Sequence, residues 1–374
     1  MRIAVNTRLL LPGKLEGIGW FTRETLTRIT RANREHEFMF LFDRPFSDEF
    51  VFSDNVIPLV VSPPARHPLL WHAWFEYSVP RVLKKTKADF FLSPDGFLSL
   101  SAATPSFAVM HDINFIHHPE FHPWLTRKYY GRYFPLFARK AKRIATVSDY
   151  SKKDIIGSFG ISPDRVDVVY NGAGNVYMPL AMEEKRIVKN ELTSGNDYFL
   201  YVGSFHQRKN ICRLLEAYDL FRSQAAPCIK LVLAGRRMHT YPQMSVTLEK
   251  MTFREDVIFA GHMEPPDLQR VYGAAAALVY IPVFEGFGIP VLEAMNCDIP
   301  VMTSDCTSLP EIAGNAALLV DPFSTRSVAE GMHRIISDGK FRKALVGRGR
   351  VRRTMFSWDR TAGLLWESIQ KAID

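Results

Sequence analysis

Two glutamates, Glu285 and Glu293, stand eight positions apart in EGFGIPVLEAMNCDIPV, residues 285–301. Between them lie Gly286, Phe287, Gly288 and Pro290. Glycine lets a backbone approach a ligand closely, and proline suits the first position of a helix. The order predicts a loop bearing Glu285, then a helix from Val291 to about Asn296 with Glu293 in its first turn. Each carboxylate offers paired acceptors, and the vicinal hydroxyls of a sugar or ribose are paired donors. Two carboxylates beside free backbone N–H groups describe a site for a sugar linked to a nucleotide. The blander readings are an exposed loop acid for Glu285 and a helix-dipole partner for Glu293, the latter worth at most about 1 kcal/mol. The glycines between the two acids favour the site.

A second loop, GSFHQRKN (203–210), follows the apolar stretch YFLYVG and opens a helical pattern. Backbone N–H groups at a helix start favour an anion, and Arg208 and Lys209 add positive charge there. That suits a diphosphate; a solvated basic turn would look the same. His111 and Asp112 close the apolar stretch SFAVMHD. A lone histidine at a strand end is most often structural. Ser148 and Ser151 read as helix caps, and the pairs Ser151–Asp154 and Ser308–Glu311 read as capping boxes. No aspartate has another two positions on, so the sequence holds no D-x-D metal motif.

The elements that must position these residues alternate between strand and helix. Short apolar stretches at 3–7, 37–42, 88–93, 106–112, 143–148 and 166–172 end at polar or Gly/Pro turns, as buried parallel strands do. The glycine-bearing loop Gly17-Ile18-Gly19 leads into a helix near 20–32. A second series runs through 198–203, 229–235, 256–261, 275–282, 298–304 and 316–321. The intervening 173–196, with GAGN and SGN, reads as a linker. Two such series predict an α/β protein of two doubly wound, Rossmann-like domains facing a cleft, with ligands at the carboxyl ends of the strands. The final FSWDRTAGLLWESIQKAID (356–374) is an amphipathic helix with a kink expected at Gly363.

The chain has 374 residues, 47% of them hydrophobic, and four cysteines without metal spacing. Two cores are affordable, and the cysteines read as buried thiols of a reducing compartment. No signal-peptide layout opens the sequence, and no apolar run reaches membrane-spanning length, so a cytoplasmic protein is expected. The net charge of +8 suits an anionic partner.

EGFGIPVLEA resembles the E-x7-E signature of the retaining glycosyltransferases of family 4, which have the GT-B fold. VGSFHQRKN, SLPEIAGNAALLVDP, EGIGWFTRETL, MHDINFIHHPE, TVSDYSKKDI and VVYNGAG fit the same family in order, covering nearly the whole chain. The resemblance implies an N-terminal acceptor domain (1–174), a C-terminal nucleotide-sugar donor domain (175–355), and a terminal helix (356–374) crossing back to the first. It assigns Glu285 to the donor sugar's hydroxyls, Glu293 to the ribose, and the N–H groups of Phe287, Gly288 and Ile289, beside Gly286, to the sugar or phosphate. Arg208 and Lys209 neutralise the departing diphosphate; Gly17 and Gly19 approach the donor phosphate or the acceptor. His111 stands near the reacting sugar, and Asp112 orients the loop or the acceptor. Where relatives often carry arginine after the phosphate-loop glycine, this chain has Ser204, and Arg208 takes over that charge. The relatives' glycine before the proline matching Pro300 is also absent, replaced by Asp298-Ile299.

The function implied is transfer of a hexosyl group from a nucleotide-sugar to a saccharide or lipid-linked acceptor hydroxyl, with retention and without a metal or other cofactor. HDINF and SPDG resemble mannosyltransferase-like members, so mannose from GDP-mannose leads. A sugar-nucleotide epimerase of the same fold and a catalytically inactive saccharide- or nucleotide-binding partner are the alternatives. GIGWFT (17–22) has Thr22 where a dinucleotide fingerprint needs its third glycine, which argues against NAD. No nucleic-acid partner is expected. The basic clusters 139–153 and 340–353 and the aromatic WHAWFEY (71–77) suit peripheral contact with an anionic membrane, although Trp71 and Trp74 fit a core equally well.

Overall fold

The computed structural model describes residues 1–224, 228–236 and 243–374. The chain forms two compact units, Met1–Gly172 with Ser357–Asp374, and Ala173–Phe356.

The first unit is built on seven parallel strands: β1 (Arg2–Asn6), β2 (Glu37–Phe42), β3 (Val56–Val60), β4 (Phe90–Ser93), β5 (Ser106–Val109), β6 (Arg143–Thr146) and β7 (Val166–Val168). Their order is β3-β2-β1-β4-β5-β6-β7. Central strands such as β4 and β5 are buried along their whole length, which is why their sequences read as unbroken apolar runs. β3 was not among the expected strands. It carries Pro58, which cannot donate to a ladder, and it lies at the sheet edge, where that loss is tolerated.

The first helix, Gly17–Ala32, begins at Gly17, so Gly17-Ile18-Gly19 is its first turn and not a loop. The terminal helix Trp358–Ile373 continues through Gly363 and packs on this unit. Arg28 Nε donates to Asp359 at 2.6 Å, and Thr361 Oγ1 donates to the Tyr170 carbonyl at 2.7 Å. Only glycine fits at 172, because a Cβ there would meet the Trp358 backbone nitrogen at 2.4 Å.

The second unit holds six parallel strands: β8 (Tyr198–Val202), β9 (Lys230–Ala234), β10 (Val257–Gly261), β11 (Ala277–Tyr280), β12 (Val301–Ser304) and β13 (Ala317–Val320). Their order, β10-β9-β8-β11-β12-β13, repeats that of the first six strands of the first sheet, without a counterpart of β7. Each sheet therefore reverses direction once, between β1 and β4 and between β8 and β11, and open α/β sheets bind ligands at such switch points. The expected linker is part of this unit. Met182–Thr193 is a helix, and Leu180 packs so closely on Gly273 that a Cβ there would meet Leu180 Cγ at 2.5 Å.

Of the four cysteines, all free, only Cys297 is buried; Cys228 is exposed, which corrects the expectation of four buried thiols. Among the described residues no helix is long and apolar enough to cross a membrane.

Candidate active site

β8 ends in the loop that carries Arg208 and Lys209, and β11 ends in the loop that carries Glu285. These two loops flank the switch point of the second sheet. Glu285 is 7% exposed and Lys209 8%. One oxygen, Glu285 Oε1, accepts from Arg208 Nη1 at 2.8 Å, from the Tyr280 hydroxyl at 2.6 Å and from Lys209 Nζ. Lys209 Nζ also donates to the Tyr280 hydroxyl at 2.6 Å. Buried charges persist only when paired and hydrogen-bonded, and this group meets that condition with one formal positive charge to spare. Among the described residues Arg208 uses Nη1 alone, leaving Nε and Nη2, and Glu285 Oε2 takes no hydrogen bond.

The backbone around this cluster is fixed from two sides. Val283 N donates to the Arg208 carbonyl at 2.9 Å, joining the two loops. Asn210, in a left-handed conformation (φ 61°), donates to the Ile281 and Pro322 carbonyls at 3.1 and 2.7 Å. From the other side, Thr303, Ser304 and Ser308 donate their hydroxyls to the Tyr280, Pro282 and Glu285 carbonyls at 2.7, 2.6 and 2.9 Å. Ser308 therefore does not cap its helix, and the expected Ser308–Glu311 capping box is absent; its hydroxyl pins the glycine loop instead.

The helix after that loop runs Ile289–Asn296, two residues earlier than expected. Pro290 is its second residue and Glu293 its fifth, so Glu293 sits in the second turn and not the first. The helix-dipole reading of Glu293 loses its basis, because that effect fades beyond the first turn. Gly288 adopts φ +95°, and a Cβ there would meet Leu309 Cδ2 at 2.6 Å, so glycine is required. Phe287 packs its ring on Phe356 at 5.8 Å. The N–H groups of Gly288 and Ile289 open the helix and lack intrahelical acceptors. Gly286 is buried in the same loop.

Glu293 does not join Glu285. It accepts from the Tyr272 hydroxyl at 2.8 Å, with the Tyr177 hydroxyl also bonded to it. Desolvation pushes its carboxyl from 4.5 up to about 7, against the downward pull of the two tyrosines. Ser204 contributes its carbonyl, which accepts from the Tyr201 hydroxyl at 3.2 Å. Beside this loop, Phe205, Gly235, Arg236, Phe259, Gly261 and His262 line a recess of about 350 Å³ at the carboxyl ends of β8, β9 and β10.

In the first unit His111 follows β5. Its Nε2 donates to the Pro94 carbonyl at 2.9 Å, and its ring meets Phe21 edge-on at 4.8 Å. Phe21 belongs to the helix that Gly17 opens, so His111 and that helix are in contact. A Cβ on Gly19 would meet the Leu9 carbonyl at 3.1 Å, whereas Gly17 has open space around it. Asp112 Oδ1 accepts from Asn114 N and Nδ2 at 3.1 and 2.6 Å. Ser148, the N-cap of Asp149–Phe159, accepts from Ser151 N at 3.1 Å. Ser151 lies inside the helix and donates to the His111 carbonyl at 3.3 Å, while Asp154 accepts from His117 at 2.7 Å. The expected Ser151–Asp154 box is thus replaced by a cap at Ser148. Among the described residues no cluster of three or more His, Cys, Asp or Glu is placed to hold a metal ion.

A family model for group 1 glycosyl transferases matches residues 182–352, and one for family 4 glycosyltransferases matches residues 16–173. The O-antigen chain mannosyltransferase B of Escherichia coli is 30% identical over 359 residues, 92% of this chain and 93% of the relative. The chain belongs to the glycosyltransferases of the group 1 and family 4 type. The O-antigen chain mannosyltransferase RfbU of Salmonella typhimurium is 26% identical to this glycosyltransferase over 72% of the chain and 73% of the relative. A sucrose-phosphate synthase from Thermosynechococcus elongatus superimposes with a TM-score of 0.79 at 17% identity, covering 99% of both chains. The fold of this glycosyltransferase is accordingly the GT-B type, two Rossmann-like α/β domains with parallel sheets.

Sequence reasoning missed Tyr280, Tyr272, Tyr177, Thr303 and Ser304. Tyr280 reads as one more residue of an apolar stretch and Tyr177 as part of a linker, and only their hydroxyl partners distinguish the three tyrosines.

The raised carboxyl of Glu293 has a consequence for stability. A group whose folded pKa lies above its unfolded value contributes stability that is full below the unfolded value and lost as pH rises through the folded one. The native protein should therefore weaken between about pH 5 and pH 8 relative to Glu293→Gln, by roughly 2 kcal/mol once the partial exposure of Glu293 is allowed for. Urea midpoints across that range check this; parallel curves for the two proteins would contradict it.

Proposed function

We propose that this glycosyltransferase moves mannose from GDP-mannose to a saccharide or lipid-linked acceptor hydroxyl, with retention at the anomeric carbon and without a metal ion. One observation carries the reading: Arg208, Lys209 and Tyr280 converge on the Glu285 carboxylate at the switch point of the second sheet. The similarity to the two O-antigen mannosyltransferases supports mannose as the sugar.

In this reading Arg208 and Lys209 meet the diphosphate, with Ser204 on the same loop. Charge builds on that group as it leaves, and fixed cations stabilise it without reorganisation. Glu285 keeps the cations in place with Oε1 and turns Oε2 to a hydroxyl of the donor sugar. The N–H groups of Phe287, Gly288 and Ile289, reached past Gly286, hold the sugar or phosphate. Glu293 takes the ribose hydroxyls, and the recess between Phe205 and Phe259 takes the base. In the first unit, the helix start at Gly17 and Gly19 faces a phosphate or the acceptor, His111 serves the reacting sugar, and Asp112 orders the acceptor loop. The bond from the anomeric carbon to the diphosphate oxygen breaks, and the acceptor oxygen bonds on the same face. Its proton passes to the departing phosphate, so no side-chain nucleophile is needed.

Turnover of GDP-mannose, with the product's anomeric configuration read by NMR, tests this. The product should keep the donor's configuration, and chelator should leave the rate unchanged. Glu285→Gln and Lys209→Met should each lower kcat by about a hundredfold to a thousandfold. An inverted product, or near-normal turnover in both variants, would contradict the reading.

We also propose peripheral contact with an anionic membrane on the acceptor side. Trp74 is fully buried and Trp71 stacks on Tyr130 at 5.6 Å, so these two belong to the core. The helix Trp124–Lys140 carries the surface instead. It has no acidic residue, bears Arg127, Lys128, Arg132, Arg139 and Lys140, and exposes 63% of Trp124. Basic residues near an anionic surface contribute about 1 kcal/mol each. Vesicles containing phosphatidylglycerol should sediment the native chain at low salt and lose an Arg127→Glu, Arg132→Glu variant. No sedimentation of the native chain would end the idea.

A further inference from the structure

The first sheet reverses between β1 and β4, and a buried ion pair sits at that point too. Arg8, in the loop after β1, donates through Nε to Asp95 Oδ2 at 2.6 Å, with the two side chains 8% and 4% exposed. Asp95, in the loop after β4, accepts on Oδ1 from Asn6 Nδ2 at 2.8 Å, Ser93 Oγ at 3.0 Å and Phe97 N at 3.2 Å. The Arg8 guanidinium also donates to the Ala65 carbonyl at 3.3 Å and lies 4.3 Å from the Phe97 ring centre. Both carboxylate oxygens are used, and the segment 93–97 is held by charge-assisted bonds on each side of Pro94.

The carbonyl of Pro94 is the one that His111 Nε2 meets at 2.9 Å. A carbonyl only accepts, so Nε2 carries the proton. Burial lowers the imidazole's pKa, against upward pulls from the Pro94 bond and the charges of Asp112 and Asp95, which favours the neutral ring. In a neutral imidazole protonated at Nε2, Nδ1 is an acceptor. Nδ1 has no hydrogen-bond partner among the described residues.

We propose that the Arg8–Asp95 pair positions His111 for the transfer reaction. By clamping the Pro94 carbonyl it fixes the ring in the Nε2–H tautomer and presents Nδ1 as acceptor to a sugar hydroxyl. This rests on the reading that His111 serves the reacting sugar. Arg8 and Asp95 themselves touch no substrate in this account; they act through the loop. A loop shift of about 1 Å at such a position can cost on the order of a hundredfold in rate.

Long-range nitrogen–proton NMR on the full chain with labelled histidine reads the tautomer directly. The native His111 should show a protonated Nε2 and a bare Nδ1. Asp95→Asn should move part of the population to the Nδ1–H form and lower kcat about tenfold to a hundredfold, leaving the KM for the donor within about twofold. Added to His111→Ala, Asp95→Asn should cost nothing further, since coupled residues fail to add. A native ring protonated on Nδ1 overturns the proposal without any variant, which covers the case that Asp95→Asn does not fold. The same loss from Asp95→Asn with and without His111 also overturns it, and leaves the role of His111 intact. A His111→Ala enzyme that turns over normally overturns the role of His111 itself.

Discussion

One carboxylate oxygen, Glu285 Oε1, accepts from three donors on two different segments, and much of the second unit is arranged to keep it doing so. Arg208 and Lys209 come from the end of β8, Tyr280 from the end of β11. Removing one partner of a buried ion pair strands the other charge at a cost of about 3–5 kcal/mol. The chain must therefore hold both loops in a single conformation. It does so with backbone bonds from Val283 to Arg208, with Asn210 in its left-handed conformation, and with three hydroxyls from residues 303–308 on the far side. The cations are thus held in fixed positions, which is the property a leaving-group site requires.

The fold explains why the pairing occurs there. In both sheets the strand order turns back between the first and fourth strands, leaving two loops side by side at the carboxyl ends. In both units the loop after the first strand supplies a cation and the loop after the fourth supplies a carboxylate: Arg8 with Asp95, Lys209 with Glu285. In the second unit the pair carries tyrosine and spare arginine donors suited to a ligand. In the first its oxygens are consumed by the loop, and the adjacent histidine offers the acceptor. On the proposed reading, one architectural feature serves contact in one unit and positioning in the other.

Much of this was legible in the sequence. The strands of both sheets stood out as short apolar stretches because parallel strands are buried on both faces, and only β3, with Pro58 at the sheet edge, escaped that signal. The loops bearing Arg208, Lys209 and Glu285 were marked by glycine and charge together. What the sequence hid was set by distance and by local geometry. Arg8 and Asp95 lie 87 positions apart, and no local pattern links them. Glu293 falls in the second helical turn because the helix starts at Ile289, two residues before the expected Val291. Ser308 has the spacing of a cap, but its hydroxyl bonds the Glu285 carbonyl, a choice that only the neighbouring loop determines. Tyr177 lies in the stretch expected as a linker and Tyr272 in none of the expected strands, and neither is marked until its hydroxyl is seen on Glu293.

We infer that the Arg208–Lys209–Glu285 cluster is a diphosphate site. Calorimetric titration of GDP against guanosine, on the native chain and on Arg208→Met and Lys209→Met, tests it most directly. GDP should bind the native chain far more tightly than guanosine does, and either substitution should remove most of that difference while leaving guanosine binding unchanged. An undiminished preference for GDP in both variants would contradict it and place the diphosphate elsewhere.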